Sequence, residues 1–308
     1  MATFDPRHFL HQLNLAVRLR LLLFLLVASF GPTVYAAQPA GRPEAVAPSV
    51  IANDPEILNQ QGVALAGDGE WKRAVSDLQT AVDLKPGEPK YVLNLAAALR
   101  ESGDLSDAVK LYAELAKADP DDPEEEFGLA RTYTDLGQDQ NAVTQYLLAE
   151  HGDPMSFAVH KELAAELIGL GRFSDAVEEC RYSLCIQPSD ISSESMLATC
   201  LAESGKVDSG VAELTSVLKL PGLTPADQSS IDVQLGSLLL QEGKVSDAVN
   251  ALKNALTLTP GDPEVHDSLG AALWASGDKR DAAGEWKAAY CSNDPVAKHD
   301  AAVWLATP

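Results

Sequence analysis

Basic residues are scarce in this chain. Its 308 residues include 23 Lys and Arg against 45 Asp and Glu, for a net charge of −22 at pH 7. Such a surface repels the phosphates of nucleic acids and of anionic lipid headgroups. We therefore expect no nucleic-acid partner and favour a basic or neutral protein segment. Acidity that serves only solubility is the alternative interpretation.

The sequence also lacks the compact motifs of catalysis. It has no H-E-x-x-H pair and no G-x-S-x-G nucleophile elbow. Gly205-Lys206 and Gly243-Lys244 are similar to the end of a phosphate-binding loop. Neither pair has the required upstream glycine or a following Ser or Thr. We expect no enzymatic activity and no cofactor.

Metal-ligand patterns are equally sparse. The four cysteines form no C-x-x-C pair, and no histidine lies nearby at zinc spacing. The acidic run from Asp119 to Glu126 lacks the glycine and the spaced final glutamate of an EF-hand. Acids at the start of a helix are instead favoured by its exposed N–H groups. No metal site is predicted.

The first residues are typical of an export signal. Three arginines (Arg7, Arg18, Arg20) precede an apolar run, Leu21 to Phe30, and Val34-Tyr35-Ala36 offers a cleavage site. Residues 1–36 are predicted to be a signal peptide, followed by a Pro- and Ala-rich linker over 37–52. The expected location is the periplasm or the extracellular space. An uncleaved signal anchor, which would tether the chain to a membrane, stays open.

Glycine recurs with a fixed period. Seven glycines lie 34 residues apart, with one gap of 38: Gly69, Gly103, Gly137, Gly171, Gly205, Gly243 and Gly277. Prolines follow the same period at Pro86, Pro120, Pro154 and Pro188. A period of this length indicates one supersecondary unit stacked many times.

Each unit is predicted to be a helix hairpin. In the first unit, Leu58, Gly62 and Leu65 share one helical face. Gly69 then ends that helix, and Pro86 ends a second one. The apolar face of the second helix consists of Ala74, Leu78 and Ala81. Neither helix hides its apolar stripe alone, so neighbouring units must cover it.

These positions resemble the tetratricopeptide repeat (TPR) family, in seven repeats over about 55–88, 89–122, 123–156, 157–190, 191–228, 229–262 and 263–294. The resemblance implies an all-α fold, a right-handed superhelix (solenoid) of antiparallel helix pairs. Residues 295–308 suit a C-terminal capping helix, because the last apolar face of a stack needs a cover.

The fifth repeat departs from the family pattern. Glu194 stands where a bulky apolar residue is expected, and Gly210 replaces the alanine between the helices. Pro221 comes one position early, and four extra residues follow. Since glycine in a helix costs about 1 kcal/mol relative to alanine, we expect a softer joint here. A longer loop is predicted around Pro221 to Asp227.

The resemblance also bears on the cysteines, because it places Cys180 and Cys185 on a helix that touches the helix of Cys200. In an exported chain, one of the first two is then a candidate for a disulfide with Cys200. The alternative is that all four cysteines, Cys291 included, are small buried apolar residues.

In TPR proteins the first helices line a concave face, so the resemblance implies a protein-binding scaffold that is not an enzyme. A membrane-anchored assembly factor of an envelope complex is the alternative. The basic residues of that face suit an acidic partner group, and its apolar residues suit anchoring contacts. The chaperone-type carboxylate clamp is only partly matched. The predicted partner-binding residues are Asn59, Lys90, Leu93, Asn94, Arg100, Phe127, Arg131, Lys161 and Met196.

Overall fold

A computed structural model of the chain describes residues 54–119 and 122–291. These residues form fourteen α-helices and no strand. The all-α fold of helix hairpins is thereby confirmed. The predicted signal segment, linker and capping helix (1–36, 37–52 and 295–308) lie outside the described residues.

The helices fall into two compact units, which divide at Leu170 and Gly171. The N-terminal unit contains α1 Pro55–Gly67, α2 Trp71–Leu84, α3 Pro89–Ser102, α4 Leu105–Ala118, α5 Pro123–Asp135, α6 Asp139–Gly152 and α7 Phe157–Gly169. The C-terminal unit contains α8 Phe173–Ile186, α9 Ile191–Glu203, α10 Val207–Val217, α11 Pro225–Gln241, α12 Val245–Leu258, α13 Pro263–Ser276 and α14 Lys279–Tyr290.

Within each unit every helix packs against the next one along the chain. In the N-terminal unit α3 also contacts α1 and α5, and in the C-terminal unit α11 contacts α9 and α13. The first helices of successive hairpins are therefore neighbours. They provide one continuous side of each unit, which spans several repeats.

The residues that begin and end the helices recur with the period of the repeat. Proline occupies the first turn of α1, α3, α5, α11 and α13, where its missing N–H is not needed. The preceding residue often caps the helix, as Asp54 does by accepting from the Glu56 N–H at 3.0 Å. Gly103 ends α3 with φ 89°, a conformation that other residues rarely adopt.

The fifth repeat shows how the extra residues are accommodated. Helix α10 has 11 residues and ends at Val217, so the loop to α11 runs over 218–224. Helix α11 has 17 residues, because its first turn, from Pro225, takes up the insertion. Thr224 and Asp227 form a reciprocal capping box there. The longer loop is confirmed, but it begins and ends earlier than predicted, since Asp227 is helical.

Gly210 needs a correction. The sequence alone indicates a weak substitute for alanine, but Gly210 is buried on α10 against α9. A Cβ at this position would lie 2.6 Å from the carbonyl oxygen of Ala198, well inside van der Waals contact. The glycine therefore allows two helix backbones to approach, and alanine does not fit without a shift.

Candidate functional site

A cavity of about 500 Å³ opens in the N-terminal unit, and we call it the N-terminal groove. Most of its lining side chains belong to the first helices α1, α3, α5 and α7. Its apolar lining includes Val63, Leu93, Ala97, Phe127 and Val159. Five of the nine predicted residues meet here: Leu93, Asn94, Arg100, Phe127 and Arg131.

Leu93 and Phe127 provide the apolar surface that the sequence predicted. Both side chains are half-buried in the groove. The Phe127 ring lies 6.0 Å from the ring of Tyr146, centroid to centroid, at an interplanar angle of 59°. This tilted contact holds the ring in place while part of it faces the groove.

The two groove arginines are already paired. Arg100 is buried, and its Nη1 donates to Asp135 Oδ2 at 2.8 Å while Nη2 pairs with Glu101. Burial opposes the charged form, but these two carboxylates raise the pKa of Arg100 above its usual value. Arg131 Nε lies 3.2 Å from Glu162 Oε2. Neither guanidinium is a free cation.

Glu162 completes a small network below Arg131. Tyr146 donates its hydroxyl to Glu162 Oε2 at 2.9 Å. Burial raises the pKa of Glu162, and Arg131 and Tyr146 oppose that shift. The Arg131 guanidinium also lies 5.8 Å from the centroid of the Phe127 ring. The network fixes the arginine against the aromatic wall of the groove.

The remaining polar predictions, Asn59, Lys90 and Lys161, do not line the groove. Asn94 donates its Nδ2 to Asn59 Oδ1 at 2.8 Å, and Asn59 is only 2 % exposed. Lys90 is exposed and pairs with Glu56 at 3.2 Å. The Lys161 ammonium lies 5.4 Å from the centroid of the Phe157 ring. Asn59 thus supports Asn94 and has almost no surface of its own.

Met196 is not a surface anchor. It belongs to the C-terminal unit and is 0 % exposed. Its long, flexible thioether fills the core on α9 and presents nothing to a partner. Conversely, the expectation that first helices line the concave face missed Trp71 and Tyr112, which line the groove from second helices. It also missed Asp122 and Asp153, which lie next to helix ends. A rule that counts only first-helix positions cannot find these residues.

The acidic run at the start of α5 is only partly explained by helix capping. Asp122 is the N-cap and accepts from the Glu124 N–H at 3.0 Å. Glu125 and Glu126 are 5 % and 7 % exposed, and the Oε2 atom of each has no hydrogen-bond partner among the described residues. Burial, followed by the negative charge of Asp122, raises the pKa of Glu125 to about 7.

Two cysteines of the C-terminal unit face each other. Cys180 on α8 and Cys200 on α9 are both 0 % exposed, and both are free thiols. The hydrogen bond to Cys200, together with burial, raises the pKa of Cys180 well above its usual value. Cys185 is exposed. Cys180 is therefore the residue placed to pair with Cys200.

Family models match both units of the chain. One described as a tetratricopeptide repeat matches residues 65–125, and one described as a TPR repeat matches residues 236–277. Together with the hairpin stack, these matches identify tetratricopeptide repeats in both units. Proteins with such repeats are generally non-enzymatic scaffolds for protein–protein interaction.

Solved structures share the fold at low sequence identity. A tetratricopeptide repeat protein from Parabacteroides merdae is 18 % identical, with a TM-score of 0.62 over 82 % of this chain and 98 % of that one. The pilF protein of Pseudomonas aeruginosa is 15 % identical, with a TM-score of 0.55 over 70 % of this chain and 96 % of that one. A chain of the Cut9–Hcn1 assembly is 15 % identical, with a TM-score of 0.53 over 83 % of this chain and 54 % of that one. No curated protein matches the chain in sequence.

The length and apolar character of the described helices bear on the anchoring alternative. None of the helices in residues 54–119 and 122–291 combines the length and the apolar character needed to cross a membrane. The apolar run Leu21 to Phe30, on which the anchoring alternative rests, lies outside the described residues.

Proposed function

We propose that this chain is an exported, non-enzymatic scaffold that binds a segment of a protein partner in the N-terminal groove. The observation that carries the proposal is the half-buried apolar surface of Leu93 and Phe127, set in a cavity that spans several repeats. The paired arginines beside it give that surface a fixed shape. Anchors of this kind contribute most of the affinity at protein interfaces.

Affinity purification of the tagged chain from its native host tests this function. The double variant Leu93→Ala and Phe127→Ala removes the apolar surface and should lose the partner. The matched control is Leu147→Ala with Leu148→Ala on α6, since both leucines are about half-exposed and neither lines the groove. Equal recovery by the wild type and the groove variant would contradict the proposal.

A membrane-anchored assembly factor is the second candidate. Its support is the sequence of the first 36 residues, where arginines precede an apolar run. Mass spectrometry of the N-terminus of the native protein separates the two. A chain that starts at Ala37 is released and soluble, whereas a chain that retains Leu21 to Phe30 is tethered.

A further inference from the structure

We propose that the N-terminal groove selects an extended segment carrying a Lys or Arg side chain two positions from an apolar one. This inference rests on the proposed function and specifies the chemistry of the partner. It agrees with the basic or neutral segment that the net charge favours, and differs from the expectation that the basic residues of the groove hold an acidic group.

The charges around the groove favour a cation. Its lining contains two guanidiniums, Arg100 and Arg131, and both are neutralised by carboxylates of the same unit. An incoming carboxylate would have to compete with Asp135 for Arg100, and Glu162 already offsets the charge of Arg131. Replacing one buried partner by another brings little net affinity.

One end of the groove is acidic and uncompensated. Asp122, Glu124 and Asp153 line it, and among the described residues no Lys or Arg forms an ion pair with them. Asp122 and Asp153 each accept one backbone N–H, at 3.0 and 3.1 Å. The remaining carboxylate oxygens still favour a positive charge.

Glu125, a buried neighbour of Asp122, also has no basic partner among the described residues. It sits behind Asp122 on α5, is 95 % buried, and its Oε2 has no hydrogen-bond partner among the described residues. The carboxyl groups of Asp122 and Glu125 interact directly. A cation placed at Asp122 would offset the negative charge that Asp122 exerts on Glu125.

A metal ion fits this end poorly. A divalent cation needs several oxygens at about 2.0–2.6 Å from a single point. Among the described residues, no three acidic side chains of this cluster bring oxygens to within 4.8 Å of one another. An ammonium or guanidinium on a long side chain has no such requirement, because it can hydrogen-bond carboxylates that are spread over a wider area.

The distance between the acidic and the apolar side chains of the groove determines how far apart the basic and the apolar residue of the segment must be. Glu124 precedes Phe127 by three residues, so the two side chains share one face of α5, about 4.5 Å apart along its axis at 1.5 Å per residue. In an extended peptide, side chains at i and i+2 point the same way and lie about 6.7 Å apart. A Lys or Arg whose long side chain reaches Glu124 therefore leaves an apolar residue two positions away to lie against Phe127 and Leu93.

A random library of nine-residue peptides, displayed and selected on the purified chain, tests the inference. The wild type should enrich peptides with Lys or Arg two positions from Leu, Ile or Phe. Glu124→Lys with Asp153→Lys should lose this preference and weaken a selected peptide about tenfold, the scale of one charge-assisted hydrogen bond. Glu124→Gln with Asp153→Asn is the milder variant, and Glu114→Lys on exposed surface of α4 is the matched control.

The outcomes separate the two proposals. If the wild type enriches acidic or uncharged peptides that depend on Leu93 and Phe127, the groove binds segments but the inference about charge is wrong. If basic–apolar peptides bind equally well to both acid-end variants, the inference is also wrong. If no peptide binding depends on Leu93 and Phe127, the proposed function fails, and the inference fails with it.

Discussion

Arg100 on α3 donates a hydrogen bond of 2.8 Å to Asp135 on α5, 35 positions further along the chain. The pair joins the first helices of two successive repeats. Arg100 is 7 % exposed and Asp135 26 %, so the bond forms where water competes poorly. A residue that appears in the sequence as a free cation for a ligand is therefore part of the scaffold.

Removing Asp135 should destabilise the N-terminal unit. Asp135→Ala leaves the buried guanidinium with Glu101 alone, and we expect a loss of about 1–3 kcal/mol in the free energy of unfolding. Urea unfolding followed by circular dichroism measures it. The control is Glu70→Ala, whose partner Arg73 is exposed and whose loss should cost less than about 1 kcal/mol. Equal effects would show that Arg100 does not depend on Asp135.

Gly210→Ala tests whether Gly210 is needed for close helix packing or only lowers the helix propensity of α10. Helix propensity alone predicts a gain of about 1 kcal/mol. The 2.6 Å approach to the carbonyl oxygen of Ala198 predicts a loss of about 1–3 kcal/mol instead. Gly284→Ala in α14 is the control, because a Cβ there meets nothing within 4 Å and should stabilise. Thermal unfolding of both variants decides between the two signs.

Stability should depend on pH through Glu125. The pKa of Glu125 rises from 4.5 to about 7 on folding, mainly because the carboxyl is buried. A raised pKa means that the protonated form favours the fold. Its contribution is therefore complete below about pH 4.5 and is lost as the pH rises through 7. Unfolding free energies measured between pH 4.5 and 8 should fall accordingly.

Glu125→Gln should flatten that decline, because the amide stays neutral at every pH. Glu114→Gln, at an exposed position on α4, should leave the pH profile unchanged. A wild type whose stability does not fall between pH 4.5 and 8, or a Glu125→Gln variant with the same slope as the wild type, would contradict the assignment.

The facing thiols predict a specific disulfide. A mild thiol oxidant should link Cys180 to Cys200, since both are on packed helices and interact directly. Peptide mapping without reductant should find that pair. Cys185→Ser should leave the bond intact, and Cys180→Ser should abolish it. A disulfide that contains Cys185 would show that α8 is rotated relative to its position here.

Sequence patterns predicted the hairpins well because glycine and proline act locally. Gly103 ends α3 and Pro89 begins it, and the same positions recur one period later. The pattern was less informative about the groove. The pairing of Arg131 with Glu162 joins residues 31 positions apart, and only the stack geometry brings them together. The burial of Met196 also depends on packing, which a rule for inward-facing positions does not contain.

The central claim is that the N-terminal groove holds a partner protein. A photo-crosslinking amino acid placed at Leu93 in the full chain, expressed in its native host, tests this claim most directly. It should capture one defined protein under illumination, whereas the same amino acid at Leu148, outside the groove, should not. Equal capture from both positions, or capture from Leu148 alone, would contradict the account.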